Sequence, residues 1–129
     1  MKSNFETRSD TLADTVMSEY LNTNEEQTQQ VLAGYLFGCL NGLAQELNAT
    51  PGDVQGKVIG VLVRVWDYPQ GKAAELTQFL INSTDESYHP TMFAIIHRGL
   101  EGYYLIRNKK YAELTADIQV IVKAVKEAS

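Results

Sequence analysis

The stretch GYLFGCLNG, Gly34 to Gly42, sits inside an apolar run with helical spacing, yet it carries glycine at positions 34, 38 and 42. The same interval returns in GDVQGKVIG, with Gly52, Gly56 and Gly60, so six of the nine glycines fall in two matching triplets. A glycine in a helix interior costs about 0.5 to 1 kcal/mol relative to alanine. Packing has to offset that cost. If the two glycine-bearing helices form a hairpin about residue 49, Gly42 faces Gly56 and Gly38 faces Gly60. Two faces without Cβ atoms would then let the helix axes approach closely. Two other readings stay open: a groove that admits a bulky neighbour such as Trp66 or Tyr104, and a seam between two copies of the chain. None of the three requires catalysis.

Working outward, every other segment also reads as helix or connection. SDTLADTVMSEYL, from Ser9, places Leu12, Ala13, Val16, Met17 and Tyr20 on one helical face. The polar residues 1–8 read as a loose end. Thr23 followed by Glu26 has the spacing of a capping box at the start of the long glycine-bearing helix. Its stripe is Val31, Leu32, Tyr35, Leu36, Cys39, Leu40, Leu43 and Leu47. Thr50 and Pro51 then suit the N-cap and first turn of a third helix. Its run from Val58 to Trp66 is apolar nearly all round, as expected of a central, buried element. DYPQG ends it, and a fourth helix carries Ala73, Ala74, Leu76, Phe79 and Leu80. After the polar loop NSTDESYHP, Pro90 opens PTMFAIIHRGLEGYYLIR. Following NKK, the last helix aligns Tyr111, Leu114, Ile118, Ile121, Val122 and Val125. No strand alternation, linker or low-complexity tract appears. The expectation is an all-α, single-domain bundle of five or six helices over residues 1–129, containing a close glycine-faced hairpin.

Charge narrows the partner. The net charge is −5, yet residues 9–56 hold Asp10, Asp14, Glu19, Glu25, Glu26, Glu46 and Asp53 with no Lys or Arg at all. An acidic half disfavours nucleic acid, whose phosphates need a basic stripe, and suits a basic protein partner. No window reads as a membrane span or secretory signal, and the single cysteine, Cys39, rules out an internal disulfide. A cytoplasmic protein is expected.

Chemistry is scarce. On a helix, His97 and Glu101 are four apart and Arg98 and Glu101 three apart, so each pair shares a face. No second helical His and no Cys completes a metal-ligand spacing, so His97 is expected to be a structural residue satisfied by Glu101 or a backbone carbonyl. Arg64 and Asp67 are spaced for a helix-end ion pair. The glycine triplets lie on helices, not in the strand-to-helix turn of a nucleotide-binding loop. Tyr103 and Tyr104 point about 100° apart, so at most one can serve as an exposed anchor on a given face.

The acidic helical first half, VRVWDYPQGKAAELTQFL and YHPTMFAIIHRGLEGYY together resemble the small all-α immunity proteins of bacterial polymorphic-toxin systems. That resemblance implies neutralisation of a cognate toxin by direct binding, with no catalysis. The residues proposed for partner binding come from chemistry alone: Asp10, Asp14, Glu25, Glu26, Arg98, Glu101, Tyr103 and Tyr104. No catalytic residue, cofactor or metal ligand is assigned. The competing classes are a small helical enzyme or ligand-binding domain built around His97, and a homo-oligomeric structural or regulatory protein.

Overall fold

Six helices follow one another through residues 3–128, the part of the chain that the computed structural model describes. They are α1 (Asn4–Met17), α2 (Glu26–Leu47), α3 (Pro51–Trp66), α4 (Gln70–Asn82), α5 (Pro90–Arg107) and α6 (Tyr111–Glu127). No strand occurs among the described residues, and the fold is the expected all-α bundle.

Local signals place most of the boundaries. Thr50 and Asp53 form a reciprocal capping box at the start of α3, with Pro51 in the first turn. His89 caps α5 with its ring, Nδ1 accepting the Met92 N–H at 3.0 Å, just ahead of Pro90. Three expectations fail at this level. Helix α1 begins at Asn4, not Ser9, because Ser3 caps it through the Glu6 N–H at 3.1 Å. Phe5 and Ser9 then extend the buried stripe of Leu12 and Val16 by a full turn. Thr23 does not cap α2: its hydroxyl accepts the Glu25 N–H at 3.4 Å, and Glu25 holds the N-cap position without a side-chain bond. Arg64 reaches across to Asp14 at 3.6 Å, leaving Asp67 as the left-handed C-cap of α3, with φ 60°.

The central element is α2, not α3. Fifteen of its 22 residues are buried, against Val54, Val58, Val61 and Leu62 in α3. Four leucines of α2, Leu32, Leu36, Leu40 and Leu43, are at most 1% exposed. Each contributes about 1.5 to 3 kcal/mol by leaving water. Helices α1, α3, α5 and α6 surround α2, and α5 packs on it most extensively.

That packing corrects the hairpin expectation for the glycines. A Cβ added at Gly38 would collide with the Ile96 carbonyl oxygen and lie 2.8 Å from the Leu100 nitrogen, all on α5. A Cβ at Gly99 would collide with the Tyr35 carbonyl oxygen of α2. The close crossing therefore joins α2 to α5, where backbone meets backbone around Gly38 and Gly99. Gly42 and Gly102 flank it, beneath the rings of Tyr103 and Tyr35. Gly56 and Gly60 have nothing within 4 Å of an added Cβ; they face outward and do not meet Gly42 or Gly38.

Candidate functional site

The surface of α5 was the richest place for chemistry in the sequence, and the structure separates its residues. His97 lies on the exposed side, its Nδ1 3.1 Å from the Phe93 carbonyl oxygen and its ring 4.1 Å from the Phe93 ring. It does not engage Glu101. Arg98 turns instead to Asp117 of α6, which also accepts the Tyr35 hydroxyl at 2.9 Å. The result is a polar node tying α2, α5 and α6. Burial first, then Cys39 and the bond to Asp117, pushes the Tyr35 hydroxyl well above its ordinary range. Burial does the same to the Cys39 thiol, making it a core residue and not a nucleophile. No group of three or more His, Cys, Asp or Glu among the described residues could hold a metal ion.

The acidic block is matched from within. Asp10 meets Lys57 at 2.5 Å, Asp14 meets Arg64, Glu25 meets Lys126 at 3.1 Å and Glu26 approaches Lys72 at 4.0 Å. Glu19 accepts from Gln119, Asp53 completes the α3 capping box, and Glu46 takes both Arg8 and Arg107. All seven carboxylates of residues 9–56 are thus engaged inside the molecule. In five of the seven cases, a cation comes from residues 57–129.

Tyr103 and Tyr104 part as their 100° offset requires. Tyr103 is buried, donates to Glu46 at 2.5 Å and accepts from Arg8 at 3.4 Å. Desolvation, then the bond to Glu46, raises its pKa. Glu46 in turn is held below the usual carboxylate range, first by the Tyr103 hydrogen bond and then by that from Arg8. Tyr103 is therefore interior support and not a surface anchor. Tyr104 is exposed, with the Arg107 guanidinium 5.4 Å from its ring centre.

Arg8, Tyr103 and Arg107 line a cleft of about 290 Å³ between α1, the end of α5 and the start of α6. Thr7, Arg8, Tyr103, Arg107, Lys109 and Tyr111 are among its walls. Tyr111, placed on the buried stripe by its spacing, is 48% exposed at the first position of α6. Sequence reasoning missed Arg8, Glu46, Lys109, Lys110 and Tyr111 as members of one region. The only local signal was NKKY, a basic and aromatic turn closing an acidic chain. A second open cleft, of about 410 Å³, lies between α1 and the outward glycine face of α3.

No helix among the described residues is long and apolar enough to cross a membrane. No curated protein and no solved structure is significantly similar to the chain. A family model does match, over residues 4–126, which takes in all six helices apart from the last residue of α6. On that match, the chain belongs to the family described as Immunity protein 48.

Proposed function

We propose that this protein binds a cognate toxin in the cytoplasm of the cell that makes it and neutralises the toxin by contact, without catalysis. The observation that carries the reading is the family match over residues 4–126. The geometry supports it indirectly. His97 is exposed on a helix face with its ring nitrogen at a backbone carbonyl and its ring beside that of Phe93, and no carboxylate or second imidazole among the described residues is hydrogen-bonded to it for acid–base work. Large side chains such as Tyr88, Tyr104 and Tyr111 are instead presented at the surface, where tyrosine serves well as a binding anchor.

The expected attraction between an acidic face and a basic toxin meets one structural fact. Asp10, Asp14, Glu25 and Glu26 already hold Lys57, Arg64, Lys126 and Lys72, and a basic partner would have to displace those cations. Charge reversal at these four sites would also set like charges against each other within the fold. Its effect on binding has to be read beside a thermal melt. Glu101, exposed beside the α5 node, remains a candidate contact.

The test is co-expression with the toxin encoded next to this chain, scoring growth, followed by a binding measurement on the purified pair. Rescue accompanied by a stable complex is expected. Unchanged toxicity, or rescue by a protein that never binds the toxin, would sink the proposal.

A further inference from the structure

We infer that the cleft between α1 and the α5–α6 turn is the toxin-docking site, and that it receives an acidic segment of the toxin, a carboxylate side chain beside an apolar one. This rests on the immunity reading and specifies the surface used.

Positive charge without a partner carboxylate among the described residues collects at the turn between α5 and α6. Among the described residues, Arg8, Lys57, Arg64, Lys72, Arg98, Arg107, Lys123 and Lys126 each form an ion pair with a carboxylate of the same molecule. Lys109 and Lys110 form none that the structure records, and both are exposed. They are adjacent, on the turn that joins α5 to α6, with Lys109 held in a left-handed conformation at φ 58°. Lys109 lines the cleft together with Arg8 and Arg107. Arg8 and Arg107 share Glu46, and Glu113 lies in the first turn of α6. Four cations against these two carboxylates leave the region at +2 in a molecule of net charge −5.

Two further features converge there. Helix α6 begins at Tyr111 with Lys110 at the N-cap, and no side chain caps its free N–H groups. The positive end of a 17-residue helix therefore opens where the lysines stand. Tyr111, 48% exposed, lines the cleft, and Tyr104, 45% exposed, lies against the guanidinium of the cleft residue Arg107, so both offer rigid amphipathic surfaces there. A carboxylate entering the cleft would meet lysine ammonium groups and helix N–H donors, while an adjoining apolar side chain would lie against a tyrosine ring.

The chemistry favours protein over nucleic acid. A phosphate backbone needs a run of cations along its length, whereas this cleft is compact, holds Glu46 among its arginines, and belongs to an acidic molecule that repels a polyanion at a distance. A short acidic segment needs only local complementarity, which governs specificity at an interface.

The experiment compares the full-length chain with three variants against the toxin that it neutralises. One variant is Lys109→Glu with Lys110→Glu. The second is Tyr104→Ala with Tyr111→Ala. The third, a control with the same change in net charge elsewhere, is Lys72→Glu with Lys123→Glu. Each is checked by thermal melting, and because Lys109 and Lys110 are exposed on a turn, the first should melt like the parent. We expect the lysine reversal to weaken binding at least about 30-fold and the control less than about 3-fold. The tyrosine variant should act chiefly by faster dissociation. Replacing the matching toxin carboxylate with lysine should restore binding to the reversed variant.

Full binding by the lysine-reversed protein would overturn the site while leaving the immunity reading intact. Equal losses in the reversal and the control would overturn it too, as an effect of overall charge. So would an oligonucleotide that competes with the toxin at the cleft, or a dimer of this chain that the reversal dissociates. A parent protein that neither binds nor neutralises the toxin would remove the immunity reading, and this inference with it.

Discussion

Gly38 and Gly99 show what a single hydrogen in place of a methyl group can decide. At Gly38 the obstacle to any side chain is the α5 backbone, which cannot rotate aside as a side chain can. Gly34 differs, since an added Cβ there meets mainly the flexible end of Met92. Gly38→Ala should therefore overpack the crossing and cost about 1 to 3 kcal/mol, despite alanine's better helix propensity, whereas Gly34→Ala should cost less. Chemical denaturation of the two variants checks this. Equal stability of parent and Gly38→Ala would mean that the helices are not in backbone contact. At the same scale, Glu46 links acid sensitivity to the cleft. Its pKa is lowered in the folded protein, so it contributes stability above the unfolded value of about 4.3, and this is lost as pH falls through the lower folded value. Replacing Glu46 with Gln should flatten the fall in melting temperature below about pH 4.5, while leaving neutral-pH folding two-state. An unchanged acid limb would show that its partners do not hold it in solution.

Among the elements, α3 carries two glycines that its packing does not require. Its inner face buries Val54, Val58, Val61 and Leu62, while Gly56 and Gly60 on the outer face touch nothing. Helix propensity alone then sets the effect of substitution. Gly60→Ala should stabilise the protein by up to about 1 kcal/mol, raising the melting temperature by a few degrees. A drop in melting temperature would mean that the outer face is covered. The same helix illustrates the reach of local signals: Thr50, Pro51 and Asp53 specify its start through bonds within four residues.

Across the whole molecule, the separation of charge along the chain becomes charge matching in the fold. The carboxylates of residues 9–56 lie on α1, α2, α3 and their connections, and cations from α3, α4, α5 and α6 reach them. Most of these pairs are exposed, and each is worth about 0 to 1 kcal/mol. Their consequence is less stability than surface character: a block that reads as a strong acidic field along the sequence is largely offset by its folded neighbours. What stays unmatched at the α5–α6 turn is basic, which is why the two lysines there bear on partner choice more than the acidic block does.

Periodicity found the helices, though neither the start of α1 nor the half-buried state of α3: the stripes from Val31 to Leu47 and from Leu114 to Val125 name their buried faces, and Pro51 and Pro90 mark two starts. These features depend on the 3.6-residue repeat and on backbone groups a few positions apart, which any sequence displays directly. The family likeness was legible too, in the same helical and acidic segments. Which helix packs against which was not legible. The spacing of Gly38 and Gly60 about a turn suited α2 against α3 as well as any other pair, because a face without Cβ atoms carries no label for its neighbour. Only the tertiary structure placed Ile96 and Gly99 against it, and only there did Arg98 find Asp117, 19 residues along the chain, ahead of Glu101, three residues away. The cleft has the same origin. Arg8 and Tyr103 lie 95 positions apart and meet because α1 and α5 share α2 as their support. Such a contact rests on the sum of many apolar burials distributed along the chain, and no local pattern records that sum.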